Sequence, residues 1–258
     1  MRRAFRAAFP VTGVAPRKPI NAALLGVIVL AFAVGFLATR EHPIERLLRN
    51  SLFDSYQRFF PRERLGDPVV IVEIDERSLT VLGQWPWPRS RLAGLIAQIA
   101  SAEPAVIAID ALFPEADRYS ATSLSLQLGL DPAATARLLA TMPDSDATFA
   151  RAIGEGSVIL GMAGVPETLT QPARQLTAAP ILERGFPALN FVRAYPDVLR
   201  NLPLLDASAG GHGALNAEPE QGILRRVPTL IASAAGNLAP GFALEILRHL
   251  SGDGPLTV

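Results

Sequence analysis

The chain has 258 residues, 49% of them hydrophobic, and no cysteine, which allows one large domain or two small ones. Disulfides, thiolate metal sites and cysteine nucleophiles are excluded, and with Lys18 the only lysine, so is lysine chemistry in the body of the chain. The net charge of zero hides a split: residues 1–40 hold six bases and no acid, so the rest holds 18 bases against 24 acids, a net of −6 that argues against a nucleic-acid partner.

Residues 20–39 form an uncharged apolar run behind a basic lead at 1–19. At about 1.5 Å per residue, such a run spans roughly the 30 Å hydrocarbon core of a bilayer. It reads as one transmembrane helix, with residues 1–19 held in the cytoplasm by their charge and the main domain outside. A cleaved signal peptide is the alternative; the long basic lead and the length of the run favour a retained anchor. Residues 40–60 carry Ile44, Leu47, Leu48, Leu52, Tyr56 and Phe59, mostly at three- and four-residue steps. They predict a helix, either a juxtamembrane stalk or an amphipathic helix packed on the domain.

Residues 61–258 read as the extracytoplasmic domain. The run Val69-Val70-Ile71-Val72-Glu73-Ile74-Asp75 predicts a first strand, apolar enough to be covered on both faces. Residues 89–102 predict a helix with Leu92, Leu95, Ile96 and Ile99 on one side, and residues 105–110 a second strand ending at Asp110. Together these make a βαβ unit with a parallel crossover. Residues 120–143 read as an inserted excursion with one helix near 132–141. Asp144-Ser145-Asp146 caps a helix through Ile153, and residues 157–161 predict a third strand. Residues 164–186 read as loop. Residues 210–216 and 218–228, around an acidic glycine-bearing turn, predict a hairpin, and residues 240–250 a helix with Phe242, Leu244, Ile246 and Leu247 mostly inward. The expected fold is therefore α/β: a mainly parallel central sheet with a βαβ unit, a C-terminal β-hairpin plus helix, and one N-terminal transmembrane helix.

Between the first two predicted strands lies Gly83-Gln84-Trp85-Pro86-Trp87-Pro88-Arg89, which holds both tryptophans. Two prolines fix φ and remove amide donors, so this is a stiff loop and not a helix or central strand. Trp85 and Trp87 either stack a ring-shaped or cationic ligand or cover a sheet edge. Arg89 either takes an acidic group at a helix N-terminus or pairs with Asp75 or Glu76.

Asp75 and Asp110 end predicted parallel strands, the edge where open α/β sheets place ligands, and Glu115 and Asp117 follow. Four carboxylates there could meet a divalent cation and serve a metal-dependent periplasmic hydrolase, or each could cap its own loop. No ligand spacing is met, so no metal and no cofactor are assigned. A phosphate loop with lysine, a G-x-G-x-x-G after the first strand and a G-x-S-x-G elbow are all missing. No catalytic residue is assigned, and the chain reads as a non-enzyme.

The ordered segments resemble the second family of CHASE domains, the cyclase/histidine-kinase-associated sensing extracellular modules. The carriers are residues 70–78 (Val-Ile-Val-Glu-Ile-Asp-Glu-Arg-Ser), the tryptophan segment 83–89 and residues 107–117 (Ile-Ala-Ile-Asp-Ala-Leu-Phe-Pro-Glu-Ala-Asp). Residues 146–150, 213–216, 222–228 and 240–245 add weaker matches, and the resemblance covers about residues 45–250. It implies a bacterial inner-membrane receptor, most often a class III adenylate or guanylate cyclase, otherwise a histidine or serine/threonine kinase. It also implies a periplasmic sensor, a homodimer and an unidentified small-molecule or protein signal. The family continues past the point where this chain stops, into further membrane helices and an output domain, so the sensor is expected to be truncated at its C-terminus. Asp75, Trp85, Trp87, Arg89, Asp110, Glu115 and Asp117 are the residues expected to bind the signal or transmit it.

Overall fold

A computed structural model describes residues 22–38, 43–63, 66, 68–169, 179–220 and 222–258. The chain divides into two compact units, Met1–Glu73 and Ile74–Val258.

The first unit contains α1 (Ala22–Ala38) and α2 (Pro43–Phe59). The 17 residues of α1 are uncharged throughout. At 1.5 Å per residue they reach about 25 Å, short of the full hydrocarbon core. Among the described residues no helix is long and apolar enough to cross a membrane. The expected span 20–39 extends into residues 20, 21 and 39, and the basic lead 1–19 falls wholly outside the described residues. Helix α2 matches the predicted 40–60 helix and stops at Pro61, whose ring cannot continue it.

Residues 69–74 overturn an expectation. They form no strand, and Val69, Val70 and Ile71 are 73%, 86% and 85% exposed. β-Branched composition supplies a side-chain surface, but a strand also needs a ladder partner, and among the described residues none pairs with this segment. Asp75 instead starts a helix.

The second unit runs α3 (Glu76–Leu82), α4 (Arg89–Ala100), β1 (Ile107–Ile109), α5 (Ala121–Leu128), α6 (Pro132–Thr141), α7 (Ser145–Glu155) and β2 (Val158–Val165). There follow β3 (Ile181–Leu182), β4 (Arg193–Tyr195), β5 (Asp197–Leu199), α8 (Pro203–Ser208) and β6 (Gly211–Ala214). β7 (Leu230–Ser233), β8 (Leu238–Pro240), α9 (Phe242–Leu250) and β9 (Leu256–Thr257) complete it.

The sheet is built around β2. It pairs in parallel with β1, Ile107 opposite Val158, and with β6, Ile159 opposite Gly211; its far end pairs antiparallel with β5. The mainly parallel sheet is thus as expected, but its βαβ crossover lies one step later, from β1 through α7 to β2. Two helices, not one, fill the excursion between β1 and α7.

The side chains of β2 alternate between two covers, which is why its sequence is apolar without a break. Val158 and Leu160 face a core with Leu92, Ala93 and Ile96 of α4, Phe149, Ala150 and Ile153 of α7, Leu205 of α8, and Trp87 and Phe113. On the opposite face α9 closes over β6, and Gly213 permits this: a Cβ there would lie 2.5 Å from the Phe242 Cα. The inward residue of α9 is not one of the expected apolar set but Glu245, 1% exposed and held by two 2.8 Å hydrogen bonds from Arg248. Leu247 points outward.

The predicted hairpin is also corrected. Residues 211–214 become β6 inside the central sheet, and among the described residues of 218–228 only an isolated bridge between Glu220 and Ile223 pairs. The antiparallel hairpin is instead β7–β8, with β4 parallel to β7 in a second small sheet. Met162, Tyr195, Ala214, Ile231 and Ala239 pack a second, smaller core.

Candidate functional site

Helices α4 and α7 each precede a parallel strand of the sheet, so both N-termini lie at its carboxyl edge, where the chain leaves β1. Helix α4 starts at Pro88, which has no side-chain cap to offer its first amides. The cap comes from 28 residues away: the Arg89 amide donates to Asp117 Oδ2 at 2.9 Å. Asp117 Oδ1 accepts from the Tyr119 amide at 3.0 Å, and the Asp117 amide donates to Asp146 Oδ2 at 3.0 Å. Asp146 lies in the first turn of α7, where the helix dipole favours an anion, while Asp144 caps that helix by accepting from the Ala147 amide. The loop after β1 is thus fastened to two helix N-termini by two carboxylates.

The Arg89 guanidinium completes the cluster. Its Nε is 3.6 Å from Asp146 Oδ1, and its Cζ stands 4.2 Å from the centroid of the Phe113 ring. Phe113 in turn meets Phe149 edge-on, with ring centroids 5.2 Å apart. Arg89, Asp117 and Asp146 are all buried. Burial lowers the pKa of Arg89, opposed by Asp146 and Asp117. Burial raises that of Asp146, opposed by its hydrogen bond from Asp117 and by the charge of Arg89. Burial thus disfavours the charged forms of Arg89 and Asp146, and the attraction between them offsets part of that cost.

The tryptophan loop sits beside this cluster. Gly83 takes φ 92°, a region side chains disfavour, and its carbonyl accepts from Trp87 Nε1 at 2.7 Å. The Trp85–Pro86 peptide is cis. Trp87 is buried in the main core. Arg91 donates to the Leu82 carbonyl and stands 5.9 Å from the Trp87 ring. Trp85 is 41% exposed and meets Trp87 edge-on, with centroids 6.0 Å apart. Of the two rings, one is buried in the core and the other is open to solvent.

Of the expected residues, the structure brings together Trp85, Trp87, Arg89 and Asp117. It leaves the others apart. Asp75 is exposed and caps α3, accepting from the Ser78 amide at 2.8 Å and the Ser78 hydroxyl at 2.5 Å, which lower its pKa. Asp110 and Glu115 are exposed. Among the described residues no group of three His, Asp or Glu is placed to hold a metal ion. The idea of four converging carboxylates therefore gains no support.

Sequence reasoning missed a second buried network behind the first. Asn201, fully buried, accepts from the Phe113 amide at 2.8 Å and donates to the Gly161 carbonyl at 2.9 Å and to Asp206 Oδ1 at 3.1 Å. Asp206 also lies 3.1 Å from Arg200 Nε and 3.1 Å from His212 Nε2. Burial raises the Asp206 pKa, but contact with His212 and Arg200 outweighs it and leaves the carboxyl below its ordinary value. Asn216 does related work, its side chain pairing with both the amide and the carbonyl of Gly164 at 2.8 and 2.9 Å. A polar residue just before a helix or just after a strand was the available signal for Asn201, and nothing in its neighbours' spacing pointed to partners 40 and 88 residues away.

The second unit is a parallel-centred α/β domain with a buried charge cluster at the carboxyl edge of its sheet. Residues 27–256 match the family model of the CHASE2 domain. The chain belongs to the CHASE2 family, whose members are sensor domains found in cyclases and kinases. Its role is that of an extracytoplasmic sensor in a signalling protein. Searches of curated proteins and of solved structures return no match.

Proposed function

We propose that the chain is the sensing part of a bacterial inner-membrane receptor, held by its apolar segment at 20–39 and acting as a homodimer. The output is a class III adenylate or guanylate cyclase, with a histidine or serine/threonine kinase as the other family choice. The observation that carries this reading is the family match from residue 27 to 256, which takes in most of the apolar segment and all but the last two residues of the second unit. The signal meets the sensor at Trp85, the exposed ring beside the Arg89–Asp117–Asp146 cluster. Because that cluster ties the loop after β1 to both α4 and α7, a ligand that favours one arrangement of the loop shifts both helices together. The chain itself makes no product; its work is the shift between two arrangements.

Reporter fusions at the C-terminus test the topology. Alkaline phosphatase should be active there and a fluorescent protein dark if exported unfolded; the reverse pattern places the domain in the cytoplasm and overturns the proposal. Trp85→Ala should fold normally yet lose signal response in the intact receptor.

A further inference from the structure

The loop after β1 is fastened to the starts of three helices. Asp117 Oδ2 takes the first amide of α4, and Asp146 Oδ2, in the first turn of α7, takes the Asp117 amide. The Phe113 carbonyl accepts from the Leu202 amide, at the start of α8, at 2.8 Å. The fastening to α7 is the least supported. Both oxygens of Asp117 accept backbone amides, whereas Asp146 Oδ1 and the Arg89 Nε facing it are buried atoms with no hydrogen-bond partner among the described residues. They stand 3.6 Å apart, beyond hydrogen-bond reach. Arg89 on α4 favours a charge on Asp146, while Asp117 on the loop and Asp144 ahead of α7 oppose it. The remaining charges nearby are engaged elsewhere. Arg91 of α4 donates to the Leu82 carbonyl, and Asp206, the one charged residue of α8, lies against Arg200 and His212. A buried carboxylate with one hydrogen bond and a cation held off contact is costly to keep ionised.

We propose that Asp146 is a proton-operated latch: protonated, it lets the loop after β1 close on α7, and ionised, it loosens that fastening while those to α4 and α8 stay made. This deepens the reading of the cluster given above and rests on it, because outside the membrane pH follows the medium and a proton becomes a signal the site can read. A neutral carboxyl keeps an oxygen for the Asp117 amide and sheds the charge that burial penalises. The direction follows from linkage. Burial raises the Asp146 pKa, so above 3.8 the closed form holds a proton that a solvated carboxyl has lost. The fastening is therefore full in acid and weakens as pH rises through the closed-state value.

Hydrogen exchange followed by mass spectrometry, on the full chain in lipid nanodiscs from about pH 4 to 7, tests the latch. Protection factors remove the intrinsic pH dependence of exchange. Protection of residues 114–119 and of the first turn of α7 should fall several-fold as pH rises, while β7 and β8 change little. Asp146→Asn keeps an acceptor and loses the titrating proton, so its protection should stay at the acid level throughout. Asp110→Asn removes an exposed carboxyl of the same loop and should keep the parent's profile. Constant protection in the parent, a fall that persists in Asp146→Asn, or a loss spread evenly over the second unit overturns the proposal. The parent profile decides by itself if Asp146→Asn does not fold. Exchange reads the loop and the fusion reporters read the side of the membrane, so the two readings fail separately.

Discussion

Asn201 offers the sharpest test of how the sheet and the site are joined. Its side chain satisfies the buried Phe113 amide and Gly161 carbonyl and contributes a donor to Asp206. Asn201→Ala leaves both backbone groups buried without a partner, at about 1–3 kcal/mol each. Asp206 keeps Arg200 and His212, so its loss is smaller. The expected cost is about 4 kcal/mol, a large share of the roughly 5–15 kcal/mol a domain has in total. Both tryptophans lie in the second unit, so urea unfolding followed by their fluorescence reports on the relevant unit. With a slope near 2–3 kcal/mol per molar urea, the midpoint should fall by roughly 1.3–2 M. Asn201→Asp separates hydrogen bonding from shape. It keeps an acceptor for the Phe113 amide but turns a carboxylate toward the Gly161 carbonyl and Asp206. It should be at least as damaging at neutral pH and recover partly in acid, where the carboxyl can donate again. A loss below about 1 kcal/mol for the alanine variant, or an aspartate variant matching the parent, would refute this account.

Three further outcomes follow from the same geometry. Trp87→Ala should cost about 3–5 kcal/mol in urea unfolding as a buried ring with a satisfied N–H, whereas Trp85→Ala, half exposed, should cost under about 1 kcal/mol. Gly213→Ala should abolish the soluble fold or cost about 3 kcal/mol or more, because the obstruction is the Phe242 backbone and cannot rotate away; near-parent stability by calorimetry would contradict the close packing of α9 on β6. The two buried aspartates should respond oppositely to pH. Asp146 has a raised pKa, so above the ordinary value of 3.8 the folded state holds a proton that the unfolded state has lost, and stability falls as pH rises through that window. Asp146→Asn should flatten that fall. Asp206 has a lowered pKa, so its contribution is present above 3.8 and lost as pH drops through its folded value; Asp206→Asn should hurt most at neutral pH, and the gap should close in acid. Stability curves from pH 3 to 7 check both signs.

The site was half legible in the sequence. The tryptophan loop, Arg89 and Asp117 stood out because rare residues and prolines cluster there. Asp146 was read as part of a helix cap and of a weaker family match; the structure gives the cap to Asp144 and leaves Asp146 in the first turn, where its task of receiving the Asp117 amide depends on where another loop arrives. Asp75 and Asp110 looked equivalent on strand pattern, and the structure separates them: one caps a helix through Ser78, the other ends a strand in solvent.

Periodicity and residues within one turn of each other were enough for the α/β class, the parallel setting of β2, most helix positions and the cap at the start of α7. Long-range packing was needed to learn that residues 69–74 form no strand, that 211–214 join the central sheet and not a hairpin, and that Asn201 and Asp117 bind partners 28 to 88 residues distant. Strand pairing and buried polar contacts are long-range choices. A strand-forming composition is shared by many segments, and which of them finds an edge depends on the packing of all the others.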